Sequence, residues 1–170
     1  LPTISAAAQE KKKSTEVELD NLKSTPPADW KSEKPNNRLR SHQFRLPGAK
    51  DAKDGEVYIF PNLTRPVKEN FARWKEMFEA PEGKNLDDLV KESVFMVGKT
   101  KVSVQDVTAT WHYKDRPFDP SSKTEVRPNS RVVSVIFSND NGNYLIRLSG
   151  PAATVNAHYQ SFIDWLKAFK

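Results

Sequence analysis

The stretch that decides the fold is Arg131-Val132-Val133-Ser134-Val135-Ile136-Phe137-Ser138, then Asn139-Asp140-Asn141-Gly142-Asn143, then Tyr144-Leu145-Ile146-Arg147-Leu148. Two apolar, β-branched runs flank an Asn-Gly dipeptide. That pattern predicts an antiparallel hairpin with a type I′ preference at the turn. Gly150-Pro151 closes the second strand and opens a helix. Val155, Tyr159, Phe162, Leu166 and Phe169 then fall on one helical stripe. Strand, turn, strand and amphipathic helix in succession predict an α+β domain, in which an antiparallel sheet is flanked by helices.

Working outward, a second helix is predicted from about Pro66 to Glu79. Thr64 is its expected N-cap and Pro66 suits the first turn. Val67, Phe71, Trp74 and Phe78 share a face, and Pro81 and Gly83 end the run. Residues 38–46 and 56–60 read as strands, and 85–90 holds one helical turn. Residues 93–97 and 101–111 read as a hairpin around Gly98-Lys99. Within its long strand Val102 and Val104 share one parity, whereas Val107, Ala109 and Trp111 share the other. A bulge near Gln105-Asp106 would restore a single apolar face. Residues 112–130 are read as the longest loop, carrying three prolines.

The amino-terminal residues look different. Lys11-Lys12-Lys13 sits beside Glu16, Glu18 and Asp20, and apolar residues are sparse. Residues 1–24 are expected to be a flexible tether in which Val17, Leu19 and Leu22 make at most one short contact. Thr25-Pro26-Pro27 marks entry to one domain, 25–170, with Trp30 as a core anchor at its edge. Ala6-Ala7-Ala8 has the small-residue pattern that ends a secretory signal. The expected location is outside the cytoplasm, periplasmic or extracellular and associated with the envelope. No apolar run approaches the ~20 residues of a membrane span.

The 170 residues carry 27 Lys or Arg against 22 Asp or Glu, and no cysteine. Disulfides, thiol catalysis and cysteine metal sites are therefore excluded. His42, His112 and His158 show no ligand spacing, so no metal is expected. No glycine-rich phosphate loop and no serine elbow occurs, so no cofactor is expected either. Asp87-Asp88 and Asp115/Asp119 read as solvated pairs, and Asn139–Asn143 as a turn rather than a calcium loop.

Gln43-Phe44-Arg45-Leu46-Pro47, the aromatic helix around Trp74, the strand 102–111 and Tyr144-x-x-x-Leu148-Ser149-Gly150-Pro151-Ala152-Ala153-Thr154-Val155 resemble a group of small secreted bacterial proteins of unknown function. The resemblance spans about residues 25–170. The element order also resembles the α/β/α sandwich of PsbP, the extrinsic photosystem II protein, a fold shared by a nuclear-import factor that binds the small GTPase Ran. The resemblance implies protein binding and transfers no ligand or catalytic residue.

The functional expectation is an exported, non-enzymatic binding or accessory protein with a protein partner and no specific nucleic acid. Its candidate contact surface is Trp111, His112, Tyr113, Arg116 and Phe118, because aromatic and arginine side chains favour interface centres. Two other readings stand beside it. One is a hydrolase whose carboxylates meet only in the fold. The other is a binder of anionic polymers through Arg38, Arg40 and Arg45.

Overall fold

The computed structural model describes residues 16–117 and 119–170. In chain order the elements are β1 Val17–Leu19, β2 Leu22–Ser24, β3 Lys31–Ser32, β4 His42–Leu46, β5 Gly55–Leu63, α1 Val67–Lys75, β6 Phe78–Glu79, α2 Leu86–Leu89, β7 Val90–Val97, β8 Thr100–Tyr113, β9 Glu125–Asn139, β10 Gly142–Pro151 and α3 Ala152–Lys167. β1 and β2 form a small hairpin of their own. The main sheet runs β3-β4-β5-β10-β9-β8-β6, with β7 also on β8, and every pairing is antiparallel. The class is α+β, as the sequence predicts. Among the described residues no helix is long and apolar enough to cross a membrane.

The sheet has two unlike faces. Strand alternation puts Val133, Val135 and Phe137 of β9 on one side with Ile146 and Leu148 of β10. α3 lies on this side, and its stripe seals it: Val155, Phe162, Leu166 and Phe169 are buried there and Tyr159 packs at the margin. Trp30 wedges between Phe44, Phe162 and Trp165, with ring centroids 5.2–6.3 Å apart. It is the core anchor expected of it. The opposite side is covered only in part. α1 lays Phe71 and Trp74 over Ile136 and Leu145, and Phe78 stacks on Trp111 further along β8.

Several expectations change. β8 needs no bulge near Gln105-Asp106, because its pairing with β9 is unbroken from Lys101 to Ala109. The change of apolar parity is real and has another cause. Val102 and Val104 belong to the α3-side core, whereas Val107, Ala109 and Trp111 belong to a core on the other side. One strand serves two cores in succession. The irregularity lies further on, where Ala109 pairs with Ser130 but Trp111 with Arg127. The extra residue is in β9, beside Pro128 and the left-handed Asn129, which is how a proline is accommodated in a strand. The loop is accordingly 114–124 rather than 112–130, since Tyr113 already pairs with Glu125.

α1 stops at Lys75. Phe78 fits the helical stripe in sequence but belongs to β6, opposite Trp111. Thr64 does not cap the helix; Pro66 occupies that position without a side-chain cap. The Asn-Gly hairpin forms, but its two loop residues are Asp140 and Asn141, and the positive φ falls on Gly142 just after them. A type I′ turn would need positive φ at both loop residues.

The expected tether divides. Residues 1–15 lie outside the described residues. Residues 16–24 are part of the domain: Val17 and Leu19 are 0% and 2% exposed within the α3-side core. Reciprocal backbone bonds join Lys23 and Lys170 (3.0 and 3.2 Å), and Ser24 Oγ donates to the Trp165 carbonyl at 2.8 Å. Asp20 accepts from Tyr144 Oη (2.7 Å) and Asn139 Nδ2 (3.0 Å). These partners lie more than a hundred residues away, so local composition gives no sign of them.

Candidate functional site: a cleft on the partly covered sheet face

Register builds the floor of the site. Gln43 pairs with Tyr58, Tyr58 with Arg147, Arg147 with Ser134, and Ser134 with Gln105. Paired residues share a face, so five strands contribute one polar row across the sheet. All five side chains are buried. Buried polar groups require partners, and most of these have them. Gln105 Nε2 donates to the Phe71 carbonyl at 2.9 Å. Gln43 accepts from Arg40 Nη1 at 2.7 Å and donates to Glu33 at 3.0 Å. Arg147 Nε donates to Ser134 Oγ at 2.8 Å.

The far end of β8 and β9 forms a wall over this floor. β8 is separated from β4 by β9, β10 and β5. Even so, Tyr113 Oη accepts a 3.0 Å bond from Arg40 Nη2, just before β4, and Asn37 Nδ2 donates to the Asp115 carbonyl at 3.3 Å. The hairpin end must therefore bend over the face to reach the other side. Arg40 is the clasp. Its guanidinium lies 3.9 Å from the Tyr58 ring centre, with Glu56 and Asp115 at 3.6 and 3.9 Å. Arg127 covers the Tyr113 ring at 3.8 Å.

This arch has a recess on either side. One, of about 800 Å³, is lined by Gln43, Arg45, Glu56, Glu125 and Arg127 among others. Its charges are largely paired: Arg45 with Glu33 at 2.6 Å, Arg127 with Glu125 at 3.1 Å. Burial pushes the Glu56 carboxyl above its ordinary range, against the opposing pull of Arg40 and Arg127. Burial likewise raises the Tyr113 hydroxyl, keeping it a neutral hydrogen-bonding group.

The other recess, about 550 Å³, lies between the arch and α1. Tyr58, Phe60, Trp74, Trp111 and Tyr113 give it aromatic walls, and Arg40, Arg65, Arg73 and Arg147 line it as well. An adjoining hollow of about 360 Å³ shares Phe60, Arg65, Arg73, Trp74 and Arg147 with it. Among the described residues no group of three or more histidine or carboxylate side chains gathers as a metal shell.

Of the five residues expected to form a protein-binding surface, Trp111 and Tyr113 are buried. Trp111 is 1% exposed, stacked on Phe78 and meeting Tyr113 edge-on at 5.0 Å. Tyr113 is also buried, held by Arg40 and Asp115. Bulky aromatics on the inward parity of a strand make the arch and its packing. His112, on the other parity, bonds Glu79 at 3.2 Å, and Arg116 is exposed and pairs with Asp119 at 3.0 Å. Phe118 lies outside the described residues.

Of the three arginines of the anionic-polymer reading, Arg40 is buried in the arch, Arg45 is exposed and paired with Glu33, and Arg38 is exposed. Arg147 was missed. Its signal was a charge between Ile146 and Leu148 in an otherwise apolar central strand.

No family model and no curated protein matches this chain. Among solved structures it is similar to a Pseudomonas aeruginosa protein of unknown function, PA94. The TM-score is 0.47 at 14% identity, over 90% of this chain and 93% of that one.

Proposed function

We propose that this chain is an exported, non-enzymatic binding or accessory protein of PsbP-like architecture, and that its binding site is the cleft between the sheet, α1 and the arched end of β8 and β9. The observation that carries the reading is the 550 Å³ recess walled by aromatic rings and floored by Arg147. Ligand sites commonly occupy ~300–1,000 Å³, with apolar and aromatic walls and a few placed polar groups. Two features favour a small-molecule ligand over a protein seated on the 111–118 segment: Trp111 and Tyr113 are already buried, and the recess is concave.

The four tryptophans offer a direct test. Trp74 and Trp111 line the recess, whereas Trp30 and Trp165 lie in the α3-side core. A bound ligand should alter tryptophan emission in the wild type and in Trp165→Phe, and much less in the double variant Trp74→Phe/Trp111→Phe. An unchanged response in the double variant would remove the cleft from consideration.

One observation favours the hydrolase reading. Glu56 is a largely buried carboxyl with a raised affinity for its proton, facing the larger recess, and general acids share that property. Hydrolysis of chromogenic esters, glycosides or phosphates by the wild type, lost in Glu56→Gln, would establish that reading instead.

A further inference from the structure

A guanidinium taken out of water loses its hydration, and proteins normally restore the balance with a carboxylate. Arginines elsewhere in this sheet follow the rule: Arg131 meets Asp106 at 2.7 Å and Arg127 meets Glu125 at 3.1 Å. Arg147 does not. It is 8% exposed and has no carboxylate within 4 Å among the described residues; its only side-chain hydrogen bond there is from Nε to the neutral Ser134. Trp74 and Trp111 lie 4.8 and 5.9 Å from its carbon centre. Their ring faces favour a cation but cannot accept in-plane hydrogen bonds. Among the described residues neither terminal nitrogen has a hydrogen-bond partner, and Arg147 lines the recess.

Two more guanidiniums line it, beside the carboxylates of Glu76 and Asp115. Arg65 and Arg73 line the same recess, and neither has a carboxylate partner among the described residues; Arg73 donates only to Asn70 Oδ1, at 3.0 Å. Burial first, and then Arg65 and Arg147, lower the hold of Arg73 on its proton. Mutual repulsion of this kind is relieved by a bound anion.

We propose that the cleft takes a small molecule bearing one carboxylate or phosphate on a planar aromatic body, its anionic group seated on Arg147 and flanked by Arg73 and Arg65. The planar fork of an arginine matches either anion with two parallel hydrogen bonds. Trp74, Trp111 and Phe60 supply flat surfaces for the body. The inference rests on the cleft being the binding site, and the test separates the two.

Titration calorimetry of the whole chain with 2-naphthoate, 2-naphthyl phosphate and neutral 2-naphthamide reads the charge requirement directly. At low salt at least one anion should bind roughly tenfold or more tighter than the amide. The tighter of the two names the head group, and its advantage should shrink as salt is raised. In Arg147→Gln the advantage should fall to within about twofold while the amide still binds. Should Arg147→Gln fail to fold, Arg73→Gln, at a half-exposed position, should reduce the advantage in a folded protein.

Equal affinity for anions and amide in the wild type would overturn the anion assignment and leave the cleft standing. An advantage that survives both substitutions would place the anion elsewhere and overturn it too. If none of the three binds at millimolar concentration, the cleft reading falls with it.

Discussion

The two faces of one sheet are built to different rules. The α3 side is closed by aliphatic and aromatic side chains that interlock, and Trp30, Phe162 and Trp165 pack against one another at its edge. The α1 side carries a polar row, a buried arginine with no carboxylate partner among the described residues, and open volume. A protein selected for stability alone would not leave Arg147 without a carboxylate partner, as it is among the described residues. The difference shows a division of labour within a single sheet: one face holds the chain together, and the other is held in a conformation that stability alone does not favour.

That comparison can be tested by substitution on each side. The largest effect is expected on the α3 side, where Phe162→Ala should cost about 3–5 kcal/mol in chemical denaturation, as large core deletions do. A cost under ~1 kcal/mol would mean that this face is not the stabilising one. Leu19→Ala, in the amino-terminal hairpin, should cost about 2–4 kcal/mol. A near-zero value would return residues 16–24 to the status of a tether.

On the α1 side the sign should change. Arg147→Met keeps bulk and removes a buried charge that has no carboxylate partner among the described residues, so stability should stay level or rise by about 1 kcal/mol, while anion binding is lost. A loss above ~2 kcal/mol would make Arg147 a structural residue.

The smallest effect concerns pH. Folding raises the Glu56 carboxyl above its ordinary value, burial being the main cause. The folded state then holds that proton more tightly, so the contribution is complete at low pH and is lost as pH rises. The stability of the wild type relative to Glu56→Gln should therefore decline from about pH 4.3 upward. A relative gain over that range would mean that the attraction of Arg40 and Arg127 outweighs burial.

How much of this was legible in the sequence depends on how far apart the interacting residues are. The β9–β10 hairpin and the α3 stripe were readable because their signals lie within a few residues of one another. Phe78 misled because the helical spacing persisted by chance three positions past the helix end at Lys75. The parity change in β8 was visible, yet one sequence cannot distinguish a bulge from a strand that feeds two cores. Arg40 and Arg147 depend on cross-sheet register and on an arch closed by residues 73 positions apart. Nothing local encodes that, so a buried cation read as an ordinary surface charge. Trp111 and Tyr113 did mark an unusual place. Their exposure was misjudged, because the same residue types that make a contact surface also make a clasp.

The amino-terminal hairpin sets the order in which the chain can mature. Its bonds to Trp165 and Lys170 join residues 141 or more positions apart. Closing a loop of that length carries an entropic cost that no local contact offsets in advance. Until the last helix is available, Val17 and Leu19 remain uncovered, as does the inner row of β4 and β5. The amino-terminal hairpin must therefore wait for α3, and the core beneath that helix consolidates only once both are in place.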